Sequence, residues 1–477
     1  MNESQRDLVE RLYKELSVGN LGIFAGAGLS QEAGFVDWRE LLRPIAKDLG
    51  LDVDEEVDLV ALAQYSTTKH GNNRNLINQE LVEKFSPLRE PTENHKILAR
   101  LPIDTYWTTN YDRLIERALE KSGRVPDAKY TVQQLPITKR KRDAVIYKMH
   151  GDVEHANEAV LTREDYERYH LDRAPFIDAL KGDLVSKTLL FLGFSFTDPN
   201  LDYILSRVRV QYNNNRHLSD CILRRVLRDG GEPQEKFEYR QRKQKLFEKD
   251  LLRYGIRTTY VDDYAEITEI LRALETRYRH KSVFVSGAAH EFGKISKDKS
   301  ERFVFDLAMD LSRAEKRVLS GFGLGIGSAV IAGVVEATAR DGQALDEDRL
   351  LVRPFPQSDP GKTPIVELWN TYRDDILKRA GIAIFVFGNK VSPGGEVVLS
   401  DGMREEYQLA VRHGVFPIPV GATGYMAHEL WSDTMAAIEA GAIATSDEVK
   451  GLMAELGDSE RSLDEIRAIV IKIVKLI

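Results

Sequence analysis

The sequence predicts an α/β protein of two domains, each built on a parallel sheet, and three observations carry that expectation. The apolar residues Ile23, Phe24 and Ala25 run into Gly26, Ala27, Gly28 and Ser30, the pattern of a strand that turns through glycines into a helix. Short β-branched and aromatic runs recur at 103–109, 144–149 and 189–194, separated by helical patterns and ending in polar residues. Near Lys281 the pattern restarts, with a strand at 283–289 and a strand, glycine turn and helix over 318–339.

The chain of 477 residues is too long for one core, which sets the expected domains at residues 1 to 280 and 281 to 477. Hydrophobic content of 42% and charged content of 30% are those of a globular protein. A net charge of -8 argues against a bulk electrostatic grip on nucleic acid. No apolar run approaches the roughly 18 residues of a membrane helix. The opening stretch is charged and lacks a signal-peptide core, so a cytoplasmic location with no membrane partner is expected. The single cysteine, Cys221, excludes an internal disulfide and any zinc site made of several thiolates. Flanked by Asp220, Ile222 and Leu223, it reads as a small buried hydrophobe.

In chain order, Leu8, Val9, Leu12, Tyr13 and Leu16 share one face of a helix that precedes the glycine strand. Helices are expected at 38–49 and 57–64, with a further one opened by residues 91–95 and running to Arg100. The strand at 103–109 delivers Thr109, Asn110, Tyr111 and Asp112, with a helix at 113–120 behind it. The strand at 144–149 delivers His150, Gly151 and Asp152, and that at 189–194 delivers Gly193, Phe194, Ser195, Phe196, Thr197, Asp198, Pro199 and Asn200 before a helix through Leu205. Open α/β sheets place their ligands at such C-terminal strand ends. The alternating charges of 230–250 read as a solvated helix. A strand at 256–261 and a helix at 264–279 close the first domain. In the second, helices are expected at 365–378 and 403–413 and strands at 383–387 and 415–420. A last helix opens on the capping box of Ser462 and Glu465. Its stripe of Leu463, Ile466, Ile469, Val470, Ile473 and Val474 reads as core packing.

Taken alone, residues 25–30 fit a nucleotide cradle or a turn that only packs strand on helix. The ordered set of Gly26, Ala27, Gly28 and Ser30, then Thr108 to Asp112, His150 to Asp152, and Gly193 to Ser195, resembles the sirtuin-like NAD-binding domain over about residues 10 to 280. That resemblance implies NAD+ as substrate, held by Ala25, Gly26, Ala27, Gly28, Ser30, Asp112, Gly193 and Ser195. It also implies that Asn110 holds the nicotinamide ribose and the attacking group, with His150 as base. The chemistry is compatible: nicotinamide departs neutral, so positioning, dipoles and one base near neutral pH suffice. His95, His155 and His170 lack such company and are expected to be structural or superficial. One cysteine cannot build the four-cysteine zinc module of protein-deacylating sirtuins, so water is the expected acceptor, and no metal is expected. A deacylase or ADP-ribosyltransferase using the same pocket, and a non-catalytic nucleotide sensor, are the alternatives.

Residues 281 to 477 look like a SLOG domain, a Rossmann-like module for nucleotide-derived signals. Its implied effector pocket comprises Gly287, Ala288, Leu324, Gly325, Phe355, Arg373, Lys390, Gly402 and Glu406. Arg373 as a fork and Lys390 as a point charge suit a pyrophosphate, and Glu406 suits ribose hydroxyls. The order of the two domains resembles the effectors of the Thoeris antiphage defence system. This implies a partner TIR-domain synthase, a cyclic ADP-ribose isomer as activator, NAD+ destruction as the response, and a homo-oligomer, tetramer or filament.

Overall fold

The computed structural model describes every residue except 197, 213–216, 357–360 and 362–363. The chain divides into two compact units, Met1–Glu275 and Thr276–Ile477. Both are α/β, each with a wholly parallel main sheet.

The first sheet contains β1 (Leu21–Ala25), β2 (Thr105–Thr108), β3 (Pro126–Lys129), β4 (Ala144–Lys148), β5 (Thr188–Leu192), β6 (Ser219–Arg224) and β7 (Ile256–Val261), in the spatial order β3-β4-β2-β1-β5-β6-β7. The chain therefore lays β2, β3 and β4 on one side of β1, with β4 inserted between β2 and the edge strand β3, and returns to lay β5, β6 and β7 on the other. The strand order reverses between β1 and β5, where open sheets leave a crevice beyond the strand ends. β1 and β5 are buried at every position, as a central parallel strand requires. Phe24 stacks on Phe191 and meets Phe194 edge-on at this junction.

Several elements differ from the sequence expectation. The helix expected at 57–64 runs over Leu59–Lys69, because Asp58 accepts from the Ala61 amide and sets its start. The charged stretch at 230–250 begins as a turn and becomes the helix Gln234–Arg253 after Pro233. β3 and β6 were not anticipated. β3 is an edge strand that opens on Pro126 and pairs Asp127 with Lys129, so it shows no apolar run. In β6, the fully buried Asp220 is held by Arg11 and Arg257. The adjacent Cys221 is also fully buried, and that burial pushes its thiol up to about 12.

The second sheet is formed by β8 (Ser282–Ala288), β9 (Arg317–Ser320), β10 (Leu350–Val352) and β11 (Ile382–Phe387). A hairpin of β12 (Asn389–Val391) and β13 (Val397–Leu399) follows, and β14 (Phe416–Pro419) completes the sheet. The order is β10-β9-β8-β11-β14, so the reversal falls between β8 and β11. The last helix, Leu463–Leu476, buries Ile466, Ile469, Val470, Ile473 and Val474 in the core of this unit and carries the anticipated capping box.

Candidate functional site

The loops after β1 and β5 meet backbone to backbone at the reversal point. The Gly26 amide donates to the Leu192 carbonyl at 2.9 Å, and the Gly28 amide donates to that of Gly193 at 2.9 Å. A Cβ on Gly26 would stand 2.4 Å from the Gly193 oxygen. The glycines thus bring two protein loops together, a role the sequence reading had weighed against a nucleotide cradle. The helix that follows is short, Gly28–Gln31, and its Leu29 and Ser30 amides bond back to Gly26 and Ala27. In this arrangement the amides of Gly26, Gly28, Leu29 and Ser30 all have protein acceptors.

Asn110 is locked into the same group. β1 and β2 pair at Ala25 and Thr108, and the Thr108 hydroxyl donates to the Ala25 carbonyl while accepting from the Asn110 amide. This turns the buried Asn110 side chain inward, where Nδ2 donates to the Gly26 carbonyl at 3.0 Å and the Ser30 hydroxyl at 3.1 Å. Gly26, Ser30, Asn110 and Gly193 therefore converge. Asp112, also buried, accepts from the Leu114 amide through Oδ1. Ser195 is exposed, and Thr197, in the same segment, lies outside the described residues.

His150 stands two residues beyond Lys148, which pairs with Thr108 in the β2–β4 register. Its ring is buried between Tyr111, at 6.5 Å, and Tyr166, at 5.7 Å and edge-on. The carboxylate of Asp198, beyond β5, approaches to 2.9 Å from Oδ2 to His150 Nε2. The two atoms are not aligned as a full hydrogen bond. Burial raises the Asp198 carboxyl, but the charge of His150 and the backbone amides beyond it outweigh this and hold it below the usual carboxylate range. Burial and the charge of Asp198 push the Tyr166 phenol far upward, so it stays protonated.

Beneath these residues lies a buried charge cluster. Lys148, wholly out of solvent, donates to the carbonyls of Tyr111 and Asp112, pairs with Asp152, and stands 3.3 Å from Glu116. Burial alone would lower its ammonium, yet Glu116, Asp152 and Asp112 together raise it. The lysine ties the loop that carries Asn110 to the strand that carries His150. His95 is buried and bonded to Thr92, and burial lowers it to about 4. His155 stacks on Tyr130, and His170 is exposed. An open groove of about 570 Å³ lies between the helix Asn75–Phe85 and the turn Val153–Glu158; neither Asn110 nor His150 lines it.

In the second unit, Gly287 and Ala288 end β8 beside the loop 321–327, where Cβ atoms on Gly323 and Gly325 would overlap the carbonyls of Gly287 and Ala289. Leu324 is exposed on this loop. Arg373 is buried over the Phe355 ring, with its guanidinium carbon 5.5 Å from the ring centre. It donates to Asn370 and Glu405, and Gly402 leaves room for its second terminal nitrogen. Its Nε stands 3.8 Å from the buried Glu406, which accepts from Ser286. Lys390, by contrast, is half-exposed and paired with Asp401. The structure thus groups Phe355, Arg373, Gly402 and Glu406, with Lys390 at the rim.

Residues 104–254 match the SIR2-like domain model, and residues 266–477 match the Sir2- and TIR-associating SLOG family. Over its full length the chain is 47% identical to an NAD(+) hydrolase ThsA of Bacillus cereus (strain MSX-D12), covering 99% of that protein. The chain belongs to the ThsA family of NAD(+) hydrolases. A second ThsA, from Acinetobacter baumannii (strain 532279), is 46% identical over 90% of both chains. A third, from Cytobacillus dafuensis, is 42% identical over 98% of this chain and 95% of its own.

Within this ThsA fold, sequence reading overlooked Lys148 and Tyr166, and it placed Asp198 beyond a strand end without giving it a role. Lys148 was signalled by a lone charge in an otherwise apolar strand. Asp198 precedes Pro199 and accepts from the Leu201 amide, the side-chain cap and first-turn proline of a helix start. Tyr166 had no comparable signal, because it sits on the mostly polar helix Arg163–Asp172. Among the described residues of this ThsA relative, no group of three or more His, Cys, Asp or Glu is placed to hold a metal, and no helix is long and apolar enough to cross a membrane.

Proposed function

We propose that the Met1–Glu275 unit hydrolyses NAD+ to nicotinamide and ADP-ribose at the reversal point between β1 and β5. The observation that carries this reading is the placement of the Asn110 amide, fixed between Gly26 and Ser30 beside Gly193. Asn110 would hold the nicotinamide ribose and the attacking water, with Ala25, Gly26, Ala27, Gly28, Ser30, Asp112, Gly193 and Ser195 around the dinucleotide. The water oxygen bonds to the ribose anomeric carbon as the glycosidic bond breaks. The bonding pair passes to the nicotinamide nitrogen and neutralises it, and His150 takes the proton of the water. Positioning and one general base supply what this step needs.

The Thr276–Ile477 unit would bind a cyclic ADP-ribose isomer made by a TIR-domain partner, through Gly287, Ala288, Leu324, Gly325, Phe355, Arg373, Lys390, Gly402 and Glu406. Such an activator must bind the active arrangement more tightly than the resting one. The setting is Thoeris antiphage defence in the cytoplasm, with the chain acting as a homo-oligomer.

The test is NAD+ turnover by the full chain with and without a panel of cyclic ADP-ribose isomers. Nicotinamide and ADP-ribose should appear without a protein acceptor, only with an activating isomer, and neither His150→Ala nor Asn110→Ala should produce them. Release that requires an added acceptor would favour a deacylase or ADP-ribosyltransferase. No NAD+ loss under any condition would leave a nucleotide sensor. Arg373→Ala should fold normally and lose the ligand-triggered turnover.

A further inference from the structure

The loop after β5 spans the ends of β1 and β2 and places a carboxylate against the imidazole at the end of β4. We infer that Asp198 is a positioning residue for His150: its carboxylate fixes Nε2 as the protonated nitrogen and leaves Nδ1 to take the proton of the attacking water. This rests on the proposed role of His150 as base.

Three observations carry it. Asp198 Oδ2 stands 2.9 Å from Nε2, with both side chains nearly out of solvent, where a carboxylate acts strongly on an imidazole. The carboxylate is itself held, since Oδ1 accepts from the Leu201 amide at 2.9 Å and Oδ2 is 3.4 Å from the Tyr166 hydroxyl. The aromatic rings that meet the imidazole among the described residues are phenols, Tyr111 and Tyr166, and Tyr111 donates its own proton to the Val160 carbonyl. Asp198 is the anion in ion-pair contact with the ring when the imidazole takes a proton.

The experiment compares wild type, Asp198→Asn, Asp198→Ser, Asp198→Glu and His150→Ala as full chains, with NAD+ and the activating cyclic ADP-ribose isomer. Asparagine and serine keep a side-chain oxygen for the helix cap, so melting temperatures should stay within about 2 °C. Both variants should lose about 10- to 100-fold in kcat, with KM for NAD+ changed less than about threefold. The acidic limb of kcat/KM should move down by roughly one pH unit, because loss of the carboxylate disfavours the imidazolium. Asp198→Glu should restore part of both. Wild-type kcat and limb in Asp198→Asn and Asp198→Ser would reduce Asp198 to a helix cap and overturn the inference, as would lost rate with an unmoved limb. If the wild type released no nicotinamide, or His150→Ala retained full rate, the base assignment itself would fall and this inference with it.

Discussion

Gly193 adopts a φ of +61°, and a Cβ there would stand 2.2 Å from the Leu29 nitrogen while its carbonyl accepts from the Gly28 amide. The reversal point is thus closed by two loop backbones in contact, and Gly193 admits no side chain on both conformational and steric grounds.

Gly193→Ala should therefore cost about 2–4 kcal/mol, a fall of roughly 5–15 °C in melting temperature. Gly182 offers the contrast: it lies in the helix Ala174–Ser186 with nothing within 4 Å of its would-be Cβ. Gly182→Ala should be neutral or stabilise by about 0.5–1 kcal/mol. Thermal unfolding of the two variants beside wild type checks both outcomes.

Asn110 donates to Gly26 and to Ser30, so the two bonds can be separated. Ser30→Ala removes one acceptor and should cost about 1 kcal/mol of stability and about tenfold in kcat. Asn110→Asp replaces the donor by a carboxylate facing the Gly26 carbonyl and should cost at least about 100-fold. Steady-state kinetics of NAD+ hydrolysis gives the ratio.

Lys148→Met leaves Glu116 and Asp152 buried without their cation, a loss of about 3–5 kcal/mol. Burial already raises the Glu116 carboxyl, and Lys148 opposes that rise. Without the lysine, the Glu116 carboxyl should titrate higher still in the folded state than in the unfolded one. The variant's deficit should then grow as pH rises and shrink toward pH 5. Urea unfolding across this range, with Lys148→Met/Glu116→Gln recovering part of the loss, checks the argument.

These residues also mark where sequence reading works. The central strands and the glycine, asparagine and histidine at their ends were legible because β1 and β5 are apolar throughout and their tips are not. β3 and β6 were not, since Asp127 and Asp220 are satisfied by ion pairs from elsewhere in the fold, which periodicity does not register. Asp198 was visible beyond a strand end, but its nearness to His150 depends on the strand order, with β2 and β1 lying between β4 and β5 in the sheet. Of the second-unit residues singled out in the sequence, Arg373 and Glu406 come together, whereas Lys390 pairs with Asp401, a contact that periodicity does not register.

Glu406 yields a prediction of opposite sign to ordinary acid denaturation. Burial raises its carboxyl to about 7, against the Ser286 hydroxyl and the Arg373 charge, which lower it; Glu405 adds to the rise. The folded state therefore keeps a proton that the unfolded chain loses near the ordinary glutamate value of 4.5. The stability this group contributes is full below that value and is lost as pH rises through 7. The total is on the order of 3 kcal/mol, at about 1.4 kcal/mol per pKa unit. Glu406→Gln carries a neutral side chain of the same shape and should flatten the stability of the second unit between about pH 5 and 8. Arg373→Ala should steepen it, because the cation that favours the carboxylate is gone. Thermal melts of the unliganded chain across that range measure both slopes, and a Glu406→Gln profile that parallels wild type would place the titrating group elsewhere.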